Sequence, residues 1–273
     1  MFHISNIKCL LFFIFFSIIY SFTFSQNTCT DTAFRKKYSA SVGSTITSQI
    51  ILNNSNILIN SSSTFPIDSL KRSVISRIQK DGTIIWSKKI TQNNQADGIF
   101  IQQMEELNNG DIILAGEYIN NLNNSLNQRR YLFTAQLNST GNILWNKVFV
   151  LSNSFDNKPY VNIQSITIDN ATNNFYISLF TPSMNSNNDN GIAAFSSSGN
   201  LIWYKHISYP INNSLDSIEL VTYKGLQIIG NELICIGDGS KLDFDYQAIL
   251  LTHRINKLNG TIISSKIFER YID

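Results

Sequence analysis

The sequence predicts an all-β fold, a β-propeller built of four-stranded antiparallel blades. The first observation is a block ending in Trp-x-Lys that follows a glycine and recurs about every 60 residues, with glycines at positions 82, 141, 199 and 260. The second is that apolar and polar residues alternate between these blocks with the period of half-buried strands. The third is that no repeat contains an amphipathic stretch of helical length. About four blades are present, either as a closed ring or as part of a longer propeller.

The third repeat shows how one blade is built. Residues 163–169 alternate apolar and polar residues, and residues 175–180 are rich in aromatic and β-branched residues, so both predict strands. An Asn-rich loop precedes a short third strand at 191–196. A tight turn through Gly199 then leads into the fourth strand at 201–207. Four such strands joined in sequence make one propeller blade.

The other repeats align with the third in the same order. The repeats span four segments, at 48–90, 100–149, 163–207 and 220–268. The second strands are predicted at 57–60, 112–118, 175–180 and 233–237. The third strands are predicted at 73–78, 131–137, 191–195 and 248–255. We assign residues 26–273 to a single propeller domain.

Structural roles explain the recurring residues of the block. The glycine supplies the positive φ of the hairpin turn. The tryptophans at 86, 145 and 203 are expected to pack between neighbouring blades, where an aromatic ring contributes roughly 4–6 kcal/mol as an upper figure. Ser264 replaces the tryptophan in the fourth copy, so we expect the fourth blade to be the least stable. The lysine is expected to be a solvated charge on an edge strand.

The N-terminal segment 1–25 has the features of a secretory signal peptide. A weakly basic start precedes a nearly unbroken apolar run, and small residues follow at the −3 and −1 positions of a cleavage site. The mature chain contains no later apolar stretch long enough for a membrane span. We therefore expect a secreted or cell-surface protein.

The balance of charges limits the classes of partner. The formal net charge is +2 and 15% of the residues are charged, so the sequence provides no electrostatic reason to expect binding to nucleic acid. We expect the protein to be a monomer and its partner to be an extracellular glycan or protein.

One additional copy of a fourth strand lies near the start of the mature chain. Residues 34–38, from Phe34 to Tyr38, match the aromatic–lysine–aromatic spacing that begins at Trp145. Either the chain is part of a longer protein whose next blade would accept this strand, or the ring closes with four blades and the strand is spare. The first interpretation is favoured, and the sequence does not decide whether Asp273 is the natural C-terminus.

The residue types that usually carry chemistry are scarce. Cys29 and Cys235 either pair in an oxidising compartment or remain two free thiols, and the second alternative is favoured. His206 and His253 are expected at surface positions of strands. The segment 238–245 is the best candidate for calcium, although it lacks the EF-hand pattern and is equally well explained as a turn. We assign no catalytic, cofactor-binding or metal-binding residue.

The block of a third strand, a turn ending in glycine, and Ile/Leu-Ile/Leu-Trp-x-Lys resembles the SBBP repeats of bacterial extracellular propellers. It is also similar to propeller regions of secreted proteins from the Bacteroidetes. The resemblance covers residues 34–268 and implies a propeller fold without implying a particular activity. A weaker resemblance links the tryptophan-containing blades to quinone-dependent dehydrogenases, but the quinone and calcium residues of those enzymes have no matching positions here.

These observations favour an exported, non-catalytic β-propeller that serves as a scaffold for binding or adhesion at the cell surface. The loops 120–130, 181–190 and 238–245 all join second and third strands, so they should lie on one face, where repeat proteins carry function. Aromatic residues near loop ends are candidates for stacking on sugars, namely Tyr131, Phe155, Tyr160 and Tyr209. The alternatives are a propeller hydrolase acting on carbohydrate and a passive spacer of a longer surface protein.

Overall fold

A computed structural model of the chain describes eight segments: residues 45–64, 71–91, 97–120, 129–151, 161–180, 190–207, 222–240 and 248–269. All of them belong to one compact unit, Ser39–Asp273. The regular structure of these segments consists of β-strands, and none of the described residues lies in a helix. The all-β class predicted from the sequence is therefore confirmed. The proposed extra strand at 34–38 lies outside the described residues.

Strands that follow one another in the chain pair with one another, and each set of four forms one antiparallel sheet, which we call a blade. Blade 1 contains β1 (Thr45–Ile51), β2 (Ile57–Thr64), β3 (Lys71–Ile78) and β4 (Ile84–Ile90). Blade 2 contains β5 (Gly98–Glu106), β6 (Ile112–Asn120), β7 (Arg129–Leu137) and β8 (Ile143–Phe149). Blade 3 contains β9 (Asn162–Asp169), β10 (Asn174–Phe180), β11 (Asn190–Phe195) and β12 (Leu201–Ile207). Blade 4 contains β13 (Thr222–Ile229), β14 (Glu232–Ser240), β15 (Ala248–Asn256) and β16 (Ile262–Glu269).

The strand ends of each blade form two opposite edges, which differ in the connections that they carry. Tight turns join its first strand to its second and its third to its fourth at one edge, which we call the hairpin edge. The opposite edge, where the second strand ends and the third begins, is the loop-facing edge. The loops 120–130, 181–190 and 238–245 start at this edge in blades 2, 3 and 4, and most of their residues lie outside the described segments.

The turn glycines adopt the conformation that the sequence predicts. Gly82, Gly141, Gly199 and Gly260 have φ values of +85°, +80°, +72° and +72°. The backbone N–H of Gly141 donates to the carbonyl of Asn138 at 2.9 Å, and corresponding bonds close the other three turns. A left-handed backbone is unfavourable for residues with a Cβ, which explains why glycine recurs here.

The tryptophan of each blade packs on the turn glycine of the next blade. A Cβ added to Gly141 would lie 2.9 Å from the ring of Trp86 in blade 1. The same contact recurs from Trp145 to Gly199 and from Trp203 to Gly260. The predicted packing of tryptophan between blades is thus confirmed, and we call each of these contacts a latch. Each ring packs on the blade that follows its own. Blade 4 therefore still receives the latch from Trp203 to Gly260, and Ser264 in the tryptophan position affects only the outer face of blade 4.

Three apolar clusters fill the spaces between successive blades. The cluster between blades 1 and 2 includes Ile75 and Phe133, the next includes Phe175, and the third includes Tyr223 and Leu251. The first strands β1, β5, β9 and β13 pack side by side in chain order, as the inner strands of a propeller do. Within the described segments β13 and β1 do not pack to a comparable extent, so the four blades form an arc of a propeller.

Candidate functional site

Titratable and aromatic side chains gather at the loop-facing edge of blade 2. Asp97 directly precedes β5, Glu117 and Tyr118 lie near the end of β6, and Arg130 and Tyr131 lie at the start of β7. The strand register places Tyr118 opposite Tyr131. Because side chains alternate between the faces of a sheet, Glu117 points to the opposite face from Tyr118. We call these five residues the blade 2 cluster.

An ion pair between the buried Glu117 and the partly exposed Arg130 lies at the centre of the cluster. Glu117 is 1% exposed. Its Oε2 accepts a hydrogen bond from Nη1 of Arg130 at 3.0 Å, and its Oε1 accepts one from Nε2 of Gln102 at 3.0 Å. A buried carboxylate is tolerated when it is paired and hydrogen-bonded in this way. The side chain of Arg130 keeps 32% of its surface exposed, so the pair presents an oriented guanidinium at the loop-facing edge.

Gln102 reaches Glu117 because it occupies a β-bulge. The register of β5 and β6 shifts between Ile101 and Gln103, which leaves Gln102 as the additional residue. Its Oε1 accepts a hydrogen bond from the backbone N–H of Ile163 in blade 3 at 2.7 Å. The side chain therefore joins the ion pair to the next blade. A bulge lies at the corresponding position of β1, where the hydroxyl of Thr47 donates to the carbonyl of Ile101 at 3.3 Å.

The other face of the cluster is aromatic. The hydroxyl of Tyr118 donates to Oδ2 of Asp97 at 2.5 Å. Burial, followed by this contact with Asp97, raises the pKa of Tyr118 to about 12, so the phenol stays protonated and remains a donor. The rings of Tyr118 and Tyr131 stack with centroids 6.1 Å apart and an interplanar angle of 28°. Tyr131 is half-buried, so part of its ring is accessible at the edge.

The carboxylates of the cluster accept hydrogen bonds from neighbouring side chains. Both oxygens of Glu117 accept hydrogen bonds, and Asp97 accepts a hydrogen bond from the hydroxyl of Tyr118. Glu105, at the other end of β5, has its pKa raised by burial and by the neighbouring Glu106, but consecutive strand residues point to opposite faces. These two residues therefore do not face a common space, as the two carboxylates of a glycosidase must.

Only part of this cluster is predictable from the sequence. Tyr131 was selected as a sugar-stacking candidate and lies in it, whereas Phe155, Tyr160 and Tyr209 lie outside the described residues. The sequence does not single out the other four residues of the cluster, Asp97, Glu117, Tyr118 and Arg130, nor Gln102, which joins the cluster to blade 3. A glutamate inside the otherwise apolar second strand of blade 2 is a usable signal, because a buried carboxylate requires a partner.

The expected surface position of His253 is wrong. Its side chain is buried, with 2% of the residue exposed, and Nδ1 lies 2.7 Å from the hydroxyl of Ser265. The ring of Tyr223 meets it edge to face at 5.5 Å. His253 lies with Leu251 and Ile255 on the face of β15 that packs in the cluster between blades 3 and 4, whereas the adjacent Arg254 points to the other face. His206 is exposed, as expected.

The calcium candidate is described only at its beginning. Asp238 is exposed and its Oδ2 lies 2.7 Å from Nζ of Lys224, so a lysine already neutralises this carboxylate. Residues 241–245 lie outside the described segments. The part of the chain that the structure describes contains no group of three or more His, Cys, Asp or Glu that could hold a metal ion.

Cys235 is a free thiol buried in blade 4, and burial raises the pKa of that thiol. Its predicted alternative partner, Cys29, lies outside the described residues. No helix among the described segments is long and apolar enough to cross a membrane.

Comparison with known proteins finds similarity at the level of solved structures. No family model matches the chain, and no curated protein matches it. An α-L-arabinofuranosidase, Arb93A of Fusarium graminearum, in complex with an iminosugar inhibitor, superposes with a TM-score of 0.49 and 12% identity. The GH93 α-L-arabinofuranosidase of the same fungus with arabinobiose gives the same values. A quinohemoprotein alcohol dehydrogenase of Comamonas testosteroni gives a TM-score of 0.44 and 11% identity.

These matches are partial in length. The superposition covers 81% of this chain and 64% of each arabinofuranosidase chain. For the dehydrogenase it covers 78% of this chain and 34% of the other. The chain therefore spans less than two thirds of the length of the structures it matches.

Proposed function

We propose that the chain is an exported, non-catalytic β-propeller that binds an extracellular ligand at the cell surface through its loop-facing edge. The signal peptide predicted at 1–25 supports export. The recurring block of glycine, aliphatic pair, tryptophan and lysine supports a kinship with SBBP-type propeller repeats of Bacteroidetes-like secreted proteins. A glycan is the ligand class that the described side chains suit best.

The observation that carries the proposal is the blade 2 cluster. Arg130 is held in one orientation by Glu117, and 32% of its side chain stays exposed, so the guanidinium presents its positive charge to a ligand. The stacked rings of Tyr118 and Tyr131 provide an apolar platform on the other face of the same blade, at the same loop-facing edge. Sugars combine apolar ring faces with hydroxyl acceptors, so an oligosaccharide that crosses the loop-facing edge of blade 2 would meet an aromatic platform on one face and an oriented guanidinium on the other. A structural ion pair alone would not require the adjacent half-buried tyrosine.

The test replaces the groups that would contact the ligand and keeps a positive charge beside the buried carboxylate of Glu117. Tyr131→Ala removes the platform, and Arg130→Lys keeps the positive charge beside Glu117 while removing the planar set of donors. Migration through gels that contain single polysaccharides, such as arabinan, xylan or pectin, gives the affinity of each variant. We expect each change to weaken retention roughly tenfold, because an aromatic contact contributes on the order of 0.5–1.5 kcal/mol and a hydrogen bond to a charged group on the order of 1.5–3 kcal/mol.

Phe268→Ala is the matched control, since this half-exposed aromatic lies at the loop-facing edge of blade 4. It should leave retention unchanged, and thermal melts should show that all three variants fold. Release of reducing ends by the unchanged protein would contradict a non-catalytic role and favour the hydrolase alternative. Retention that Tyr131→Ala and Arg130→Lys leave intact would place the ligand elsewhere.

A further inference from the structure

The residues of β7 point alternately into the two spaces that flank blade 2. Phe133 and Ala135 pack in the apolar cluster between blades 1 and 2, whereas Leu132 packs in the cluster between blades 2 and 3. Because successive side chains of a strand alternate between its faces, Arg129 and Tyr131 lie on the face toward blade 1. The start of β7 therefore places a cation and an aromatic ring on the same face.

The pairing of β6 with β7 completes a small polar and aromatic surface at this end of the blade. Tyr118 lies opposite Tyr131, and the next pair on this face toward the loop-facing edge is Asn120 opposite Arg129. Residues two positions apart in a strand are separated by about 7 Å, so the side chain of Arg129 begins close to the stacked rings. Asn120 and Arg129 are both exposed. We call these four residues the tyrosine–arginine face.

Arg129 differs from its neighbour Arg130 in its surroundings. Arg130 lies on the other face of the blade, where it forms an ion pair with the buried carboxylate of Glu117. Among the described residues, no carboxylate forms an ion pair with Arg129. Asp97 lies next to the aromatic platform, and its carboxylate accepts the hydrogen bond of the Tyr118 hydroxyl. The tyrosine–arginine face therefore presents an exposed guanidinium beside aromatic rings.

The loop-facing edge around this face has an excess of positive charge. The connections 92–96 and 121–128, which meet blade 2 at this edge, contain no acidic residue. In blade 1, Lys71 and Arg72 begin β3 at this edge and Lys89 lies one residue before the end of β4, while the connection before β3 contains one aspartate. The connection from blade 2 to blade 3 contains one aspartate and one lysine. The later connections at this edge, in blades 3 and 4, contain one lysine and five acidic residues: Asp189, Asp216, Glu219, Asp243 and Asp245. An anionic ligand is therefore favoured at blades 1 and 2.

An aromatic platform with a guanidinium at its outer end suits a particular kind of sugar. The apolar face of a sugar ring stacks on Tyr131, and a carboxylate or sulfate on that ring accepts two parallel hydrogen bonds from Arg129. A neutral sugar occupies the platform but leaves the guanidinium without an opposite charge. We propose that the tyrosine–arginine face binds a sugar ring that carries an anionic substituent. The ligand of the scaffold is then an acidic polysaccharide, an inference that rests on the proposed function.

The two adjacent arginines then have different tasks. Arg129 contacts the anionic group of the sugar and so determines the preference for acidic over neutral glycans. Arg130 lies across the loop-facing edge and meets a further unit of the same polysaccharide chain. Loss of Arg130 therefore weakens the binding of every glycan, whereas loss of Arg129 removes the preference for acidic ones.

Binding to a charged polysaccharide and to its uncharged ester tests the proposal. The protein is purified in the processed form that a secreting host releases, and titration calorimetry measures its affinity for polygalacturonate and for the same polymer after full methyl esterification. The two polymers share their sugar rings and linkages and differ in charge. We expect polygalacturonate to bind roughly tenfold more tightly, and added salt to reduce this difference. A sulfated galactan and its desulfated form repeat the comparison, and the larger of the two preferences identifies the anionic group.

Three variants locate the binding site. Arg129→Gln should bind polygalacturonate roughly tenfold more weakly and the methyl ester as the unchanged protein does, because it loses the charged hydrogen bonds and keeps the rings. Tyr131→Ala should weaken the binding of both polymers. Lys205→Gln is the matched control, since it removes one exposed positive charge from the outer strand of blade 3. It should leave both affinities unchanged, and thermal melts should show that all three variants fold.

Equal affinity for the charged and the esterified polymer would overturn the proposal, and so would equal losses in Arg129→Gln and Lys205→Gln. Binding of neutral glycans alone would overturn the acidic ligand and leave the proposed scaffold intact, whereas binding of no glycan would remove both. Poly-L-glutamate, an anion without sugar rings, is the last probe. If it bound as tightly as polygalacturonate, the ligand would be an acidic peptide and the glycan assignment would be overturned.

Discussion

His253 illustrates how the surroundings of one side chain determine its chemistry. The imidazole is enclosed between Tyr223 and Ser265 in blade 4, and burial lowers its pKa from 6.5 to about 4. The neutral form is therefore the one that the folded chain accommodates. Because the unfolded chain takes up this proton at higher pH than the folded chain does, folding is opposed by protonation as the pH falls.

We predict that the free energy of unfolding decreases as the pH falls from 6.5 towards 4. Above pH 6.5 the imidazole of His253 is neutral in the folded and the unfolded chain, so it does not lower the stability. Stability is lost between pH 6.5 and 4, where the unfolded chain alone binds the proton, and below pH 4 the loss no longer grows. The loss from His253 should be roughly 3–4 kcal/mol, at about 1.4 kcal/mol for each unit by which the pKa is lowered. Urea unfolding at a series of pH values measures it. The variant His253→Asn should lose this dependence while His206→Gln, at an exposed position, should keep it; equal slopes in both variants would contradict the prediction.

At the scale of elements, the turn between the third and fourth strands is where blades are joined. The ring of Trp86 lies against Gly141, and its Nε1 donates to the carbonyl of Ser139 at 3.1 Å. Nη1 of Arg77 donates to the same carbonyl at 2.6 Å. The turn residue must therefore lack a side chain as well as adopt a left-handed backbone, because a Cβ would overlap the ring of Trp86. Backbone conformation and interblade packing both select glycine.

Blade 2 offers a matched pair that separates these two requirements. Gly141 and Gly110 have φ values of +80° and +81°, but a Cβ on Gly110 would meet nothing within 4 Å. Gly110→Ala should cost about 1–2 kcal/mol for the left-handed backbone alone. Gly141→Ala should cost about 1–3 kcal/mol more, because Trp86 must move.

Urea unfolding gives both free energies. Combining Gly141→Ala with Trp86→Ala should reduce the excess cost, because the clashing ring is then absent. If the two glycine variants were equally stable, the latch would have no steric component and glycine would be required for backbone conformation only.

At the scale of the whole molecule, the blades are stabilised by their nearest neighbours. Blade 3 is covered on both faces, by the clusters shared with blades 2 and 4. The outer face of blade 4 instead exposes Ile236, Leu250 and Phe268, each 41–50% exposed. In such an array stability is approximately a sum of terms for the repeats and for the interfaces between them. The terminal blade therefore has one interface fewer than the blades inside the arc.

We predict that backbone amides of blade 3 exchange with solvent more slowly than those of blade 4. Strands β10 and β11 should be protected on the order of tenfold or more better than β14 and β15, because opening of the terminal blade breaks one interface and opening of blade 3 breaks two. Hydrogen exchange followed by mass spectrometry gives the rates for each strand. Equal protection would show that the outer face of blade 4 is covered in solution.

The sequence by itself determined the strands, the turns and the class of fold. Alternation of polar and apolar residues is a local property, and so is the need for glycine at a left-handed turn, so both could be read without coordinates. The recurring tryptophans predicted which strands pack against the next blade. Tyr131 was recognised because a loop-end aromatic is visible in the chain.

Only the tertiary structure decided which groups meet. The contact of Glu117 with Arg130 and Gln102 depends on the register of β6 and β7 and on a bulge in β5, which no local pattern specifies. The burial of His253 and the direction of each latch depend on how one twisted sheet packs on the next. Such contacts join residues that are distant in the chain, and their free energy arises from packing and desolvation, which single-residue preferences do not contain.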